Sequence, residues 1–250
     1  MFRWSRIFLL VLASVELASF GFAQTPRAST PDLTGVWTTY RGAGGRGNAG
    51  GARGGQSELP LRPAAKAKVQ EYQSLIAGTG ETPGGYCLGT GMPGSMMGSG
   101  GYPMEIIQRP DQITIIYEAH NEIRRVYFEN RIIPEKDRLA ERNGYSTGRW
   151  EGDTLVVETK HFTPSDNGRV TMGIAFLVSP AATVTERIAR VAADELSYAF
   201  TIDDPANYTQ PWSGETNLVR KNENLLEYSC HEANYSLRFI LQAGRARDHE

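Results

Sequence analysis

Few side chains in this chain can move a proton or grip a charge. Its 250 residues include four histidines and two cysteines. His249 lies in the C-terminal tail, which leaves His120, His161 and His231 for a folded core. No two of these stand at a ligand spacing such as His-x-His, and His120 falls at a predicted turn tip, so no metal centre is assigned. His161 is placed by strand alternation on the same face as Trp150, Leu155, Val157 and Thr159. There it would serve either as a general base with a pKa near neutrality or as a satisfied packing residue. Tyr117, Arg124 and Arg187 are predicted to point inward from neighbouring hairpins. An interior arginine beside a tyrosine can hold a carboxylate or phenolate. The competing reading pairs it structurally with Glu105 or Glu232. Trp150, Trp212, Tyr198 and Met96 would supply aromatic and thioether walls to the same interior.

These residues need strands to position them, and the strands are marked by their turns. Gly152-Asp153 joins two strand-forming runs and sets Trp150 opposite Leu155, with Arg149, Glu158 and Lys160 on the solvated face. A second hairpin runs from Gln112 to Phe128 around His120-Asn121. It aligns Ile113, Ile115 and Tyr117 with Arg124, Val126 and Phe128. A third, Thr183 to Ile202, turns at Ala193-Asp194. Pairing Val191 with Leu196 puts Thr185, Arg187 and Ala189 beside Tyr198, Phe200 and Ile202. The last is read as Glu215–Arg220 against Leu225–Cys230. Met104–Gln108 and Asp32–Tyr40 add single strands. One helix is predicted over 61–77, with Pro63 in its first turn and Ala65, Val69, Tyr72 and Ile76 on one stripe. Residues 42–55 are a Gly-Ala-Arg stretch read as a flexible surface loop. Residues 84–103 are rich in Gly, Met and Pro and are read either as an adaptable apolar cover or as a long crossing loop.

A net charge of -2 argues against a dedicated nucleic-acid binder. Residues 1–23 combine a basic start, an apolar run and small residues before Ala23, the pattern of a signal peptide. The mature chain, 24–250, has no later stretch able to span a bilayer, so no stable membrane insertion is expected after cleavage. A periplasmic or secreted address follows. In that oxidising setting Cys87 and Cys230 are either a disulfide or two buried thiols. No Ser-x-x-Lys, Gly-x-Ser-x-Gly, His-Glu-x-x-His, phosphate-loop or dinucleotide motif is present, which disfavours the common hydrolases, kinases and dehydrogenases and assigns no cofactor.

Eight to ten antiparallel strands with one helix predict a mainly β fold, a meander closed into a single barrel with the helix packed outside; a two-sheet sandwich is the alternative. Gly35-x-Trp37 resembles the opening of lipocalin-type barrels, where the Trp plugs one end. Pro103–Gln108, Gly148–Val157 and Leu226–Glu232 together resemble a group of secreted bacterial proteins of uncharacterised activity that look like calycin-type barrels. The insert after Tyr40 is longer than that resemblance implies. The reading is an exported barrel binding a small apolar or aromatic molecule in its interior. The alternative is a cofactor-independent lyase, isomerase or cyclase using His161 or Tyr117 in the same cavity.

Overall fold

Alternation of apolar and polar residues at a period of two forces a sheet to bury one face, and closing the sheet removes its edges. Nine strands of this chain solve the problem that way, in the order β1-β11-β10-β9-β6-β5-β4-β3-β2 around a closed barrel. The computed structural model describes residues 30–39, 59–79, 87, 89–97, 101–164, 169–171, 174–230, 241–242 and 244–246. Residues 1–23, the 42–55 stretch and His231 lie outside the described residues. The strands are β1 (Gly35–Thr39), β2 (Met104–Gln108), β3 (Gln112–Tyr117), β4 (Ile123–Tyr127), β5 (Tyr145–Glu151), β6 (Thr154–Lys160), β9 (Thr183–Ala192), β10 (Glu195–Asp203) and β11 (Trp212–Lys221). Two short strands, β7 (Arg169–Thr171) and β8 (Ile174–Phe176), pair with each other outside the barrel order.

The helix α1 (Pro63–Thr79) packs its stripe beside β8, outside the barrel wall. Ala65 and Val69 are buried with Leu177, and Arg62 fixes the helix start by donating its Nε to the Pro205 carbonyl at 2.8 Å. One end of the barrel is closed by Trp37, fully buried, whose indole N–H donates to the Leu33 carbonyl at 2.9 Å. The Arg220 guanidinium lies 5.3 Å from the Trp37 ring centroid and also donates to the Thr34 carbonyl, a cation–π contact that roofs the plug.

The β5–β6 hairpin has the expected register, Trp150 opposite Leu155 and Glu151 opposite Thr154. Gly152 takes the positive φ of 58° that the turn demands. The β3–β4 hairpin keeps its faces but shifts by two residues, so Arg124 sits opposite Ile115 instead of Tyr117. A shift of two preserves which side chains point inward.

Four expectations are corrected. β9 and β10 turn at Ala193-Asp194, with Ala192 opposite Glu195, but Leu196 then faces Arg190. The extra residue is a bulge at Val191, which is left 57% exposed. A one-residue shift flips every side chain beyond it, so Glu186 enters the barrel and Arg187 leaves it. Arg187 donates instead to Glu151 at 2.9 Å on the outer surface. Second, the sheet is not a pure meander. β4 and β5 run parallel through Val126–Ser146 and Tyr127–Thr147, because the charged connection 128–144 carries the chain back to the starting end. Third, Leu225–Cys230 forms no strand; β11 pairs with β10 and β1 instead. Fourth, β6 ends at Lys160, and His161 adopts a left-handed φ of 58°. That turn sends the imidazole outward and lets Phe162, fully buried, take the inward place. Gly144 makes this possible: its φ is +67°, and a Cβ there would sit 2.7 Å from the Lys160 carbonyl oxygen.

Candidate functional site

Six strands contribute polar side chains to one buried cluster. Arg124 comes from β4, Ser146 from β5, Thr159 from β6, Glu186 from β9, Tyr198 from β10 and Tyr117 from β3. All six are inside the barrel wall, with exposures from 0 to 3%. A charge so deeply buried requires a partner, and Arg124 has one. Its two terminal nitrogens bind the Glu186 carboxylate in a fork, Nη1 to Oε1 at 3.0 Å and Nη2 to Oε2. Two of the three remaining N–H groups are also used: Nε reaches Ser146 Oγ at 3.0 Å, and Nη2 reaches Thr159 Oγ1 at 2.8 Å. The two hydroxyls lie 2.9 Å apart. Tyr198 completes the set by donating to Glu186 Oε1 at 3.0 Å. Tyr117 is served less well, since its hydroxyl donates to the Met92 thioether at 3.6 Å.

The electrostatics follow from burial and pairing. Burial opposes the charge on Arg124, but the Glu186 carboxylate, with smaller help from Tyr117 and Tyr198, outweighs it and holds the guanidinium above its ordinary value. Burial pushes the Tyr117 phenol well above the usual tyrosine range, only partly countered by the positive charge of Arg124. Tyr198 is raised by burial and then by the Glu186 charge beside it. Both phenols are therefore neutral donors. In the unfolded chain they would ionise near 10. Their contribution to stability is thus fully present below about pH 10 and falls above it, as the unfolded state releases protons first. Each tyrosine adds up to about 1.4 kcal/mol per pH unit to that slope. Urea midpoints measured between about pH 9 and 11.5 should fall steeply, and Tyr117→Phe should flatten the fall. An unchanged slope in that variant would mean Tyr117 is not buried.

Above the cluster sits the Met-rich loop. Met92 and Met96 are fully buried and Met97 is 3% exposed, all within the main apolar core. The described part of this loop, 89–97, is therefore a plug as well as a cover. Ser95 Oγ donates to Glu122 at 2.9 Å, and Arg142 donates to the Gly89 carbonyl at 2.7 Å. A disulfide between Cys87 and Cys230, with Cα atoms 5.9 Å apart, ties the loop's start to the segment after β11. This resolves the choice between a bond and two thiols.

Of the expected site residues, Tyr117, Arg124, Tyr198 and Met96 lie in or over this interior. The others do not. His161 Nε2 stands 3.2 Å from Glu135, whose side chain is 71% exposed, without the alignment of a hydrogen bond, and its ring meets Tyr145 edge-on. Arg187 is on the outer surface. Trp150 is half-buried at the rim near the Gly152 turn, and Trp212 packs on Phe176, Phe200 and Tyr208 at the other end. Arg124 takes Glu186 as its partner, not Glu105; Glu232 lies outside the described residues. Alternation along β6 places Thr159 inward and the Met-rich stretch includes Met92, but sequence reasoning missed Glu186 and Ser146. Only a buried arginine's need for an acid pointed toward them.

Among the described residues, no three of His, Cys, Asp and Glu gather as metal ligands. No described helix is long and apolar enough to cross a membrane. A cleft of about 20 Å³ opens where β4 meets Gly144-Tyr145, lined by Arg125, Tyr127, Glu141 and Asn143. It has room for one water and is far below ligand size. The closed nine-strand barrel is compatible with a calycin-like fold. The chain matches no protein-family model and no curated protein.

Proposed function

We propose that this chain is an exported barrel that binds a small apolar or aromatic molecule, admitted at the end of the interior that Met92, Met96 and Met97 fill. One observation carries the reading: three methionines from a single glycine-rich loop lie in the apolar core, and one of them, Met92, accepts the Tyr117 hydroxyl. Methionine is unbranched and polarisable, so it fills irregular space at low cost and leaves it at low cost. A ligand of similar volume could replace these side chains while the nine-strand wall stays fixed. The signal-like segment 1–23 and the disulfide support export. The alternative, a cofactor-independent lyase, isomerase or cyclase, would rest on Tyr117 alone, because His161 faces Glu135 outside the barrel.

Thermal-shift and calorimetric titration with phenolics, fatty acids and the neutral fluorophore N-phenylnaphthylamine tests the proposal. At a hundredfold excess over Kd, binding to the folded state alone adds about 2.7 kcal/mol, a rise of several degrees in Tm. Met96→Trp, which fills the same space permanently, should abolish that rise while leaving the circular dichroism spectrum intact. A panel in which no compound raises Tm would sink the reading.

A further inference from the structure

We infer that the interior ligand is an uncharged molecule carrying one acceptor oxygen, a ketone, ester or ether, which takes the Tyr117 hydroxyl from the Met92 sulfur. The inference rests on the binding reading above and narrows its chemistry.

It follows from accounting for each member of the buried polar cluster. The Arg124 charge is consumed by a two-point contact with Glu186. The hydroxyls of Ser146 and Thr159 are engaged with Arg124 and with each other. Tyr198 gives its proton to a carboxylate. Tyr117 gives its proton to a thioether at 3.6 Å, among the weakest acceptors a protein offers. Two buried tyrosines thus share one cluster, and only one has a bond that a ligand can improve. Tyr117 also adjoins the methionine that a ligand would displace.

Charge decides the rest. The other buried acids among the described residues are engaged elsewhere: Asp204 accepts from Ser179 and Asn207, and Glu118 accepts from the Leu226 backbone N–H. The interior charges Arg124 and Glu186 cancel. A carboxylate or phenolate ligand would be stripped of water with no free cation to meet it, a cost that apolar contact does not offset. The expectation that Arg124 would capture an anion is therefore reversed: the guanidinium is already committed.

Three ligands on one aromatic frame test this: acetonaphthone, ethylnaphthalene and naphthoate, titrated calorimetrically at pH near 7 into the disulfide-intact protein. Acetonaphthone should bind about tenfold tighter than ethylnaphthalene, the worth of one added hydrogen bond. Naphthoate should be the weakest. Tyr117→Phe should remove the ketone's advantage and leave ethylnaphthalene unchanged. Naphthoate binding tightest, or a ketone preference that survives Tyr117→Phe, would overturn the inference. If N-phenylnaphthylamine binds and the three ligands bind equally, this inference alone falls. If neither it nor any of the three binds, the binding reading falls with it. The wild-type series decides the matter should the variant not fold.

Discussion

Replacing Arg124 with methionine is expected to cost about 3–5 kcal/mol of folding stability, because it leaves the Glu186 carboxylate as an uncompensated charge inside the barrel. Removing both charges is a different experiment. Exchanging a buried ion pair for apolar side chains of similar volume is often neutral or better. Here three hydroxyls depend on the pair, and orphaning each costs about 1–3 kcal/mol. Ser146 and Thr159 can still bond each other, so the strongest residual penalty falls on Tyr198. The double variant Arg124→Met/Glu186→Leu should therefore regain part of the loss, and adding Tyr198→Phe should regain more. Urea midpoints followed by tryptophan fluorescence give the cycle. A single-variant loss below about 1 kcal/mol, the range of exposed pairs, would show that water reaches the pair.

Breaking the Cys87–Cys230 bond should have a comparable effect by another route. The bond spans 143 residues of sequence, and closing a loop of that length in the unfolded chain is worth about 5 kcal/mol on the chain-entropy estimate. For a chain of this size that corresponds to about 10–20 °C in Tm. Cys87→Ser/Cys230→Ser, or treatment with a phosphine reductant, should lower Tm by that amount. The unreduced protein should show no thiol able to react with iodoacetamide. Equal melting with and without reductant would remove the bond from the stability account. The loss should also be felt locally, because the bond anchors a plug that Ser95–Glu122 and Arg142–Gly89 also tether.

Elements whose turns carry their own signature were legible in the sequence. Gly152-Asp153 pins β5 to β6 in the register expected from its residues, and the helix stripe of Ala65, Val69 and Tyr72 is buried as its spacing requires. Arg124 and Tyr117 were placed inward correctly, since the turn between β3 and β4 is longer by an amount that preserves parity. What failed was anything depending on parity through a hidden irregularity. Nothing in Arg190-Val191-Ala192 announces a bulge, yet it exchanges Arg187 for Glu186 and so decides which charge the barrel contains. The left-handed His161 has the same character: alternation predicts one face, and a single backbone rotation delivers another. The parallel β4–β5 contact was hidden because a long connection carries no register information. The site was thus half visible, its cation read from local pattern and its anion concealed by one inserted residue.

The barrel closes by setting Val36 of β1 opposite Lys221 of β11, so about three-quarters of the chain separates the two residues that meet. As the polypeptide is made, β1 must wait with an open edge until β11 arrives. Edges of this kind recruit other chains, and such distant pairings form slowly. The protein's vulnerable moment is therefore its delivery. Any cell that makes it in quantity must shield the early strands until the last one is out.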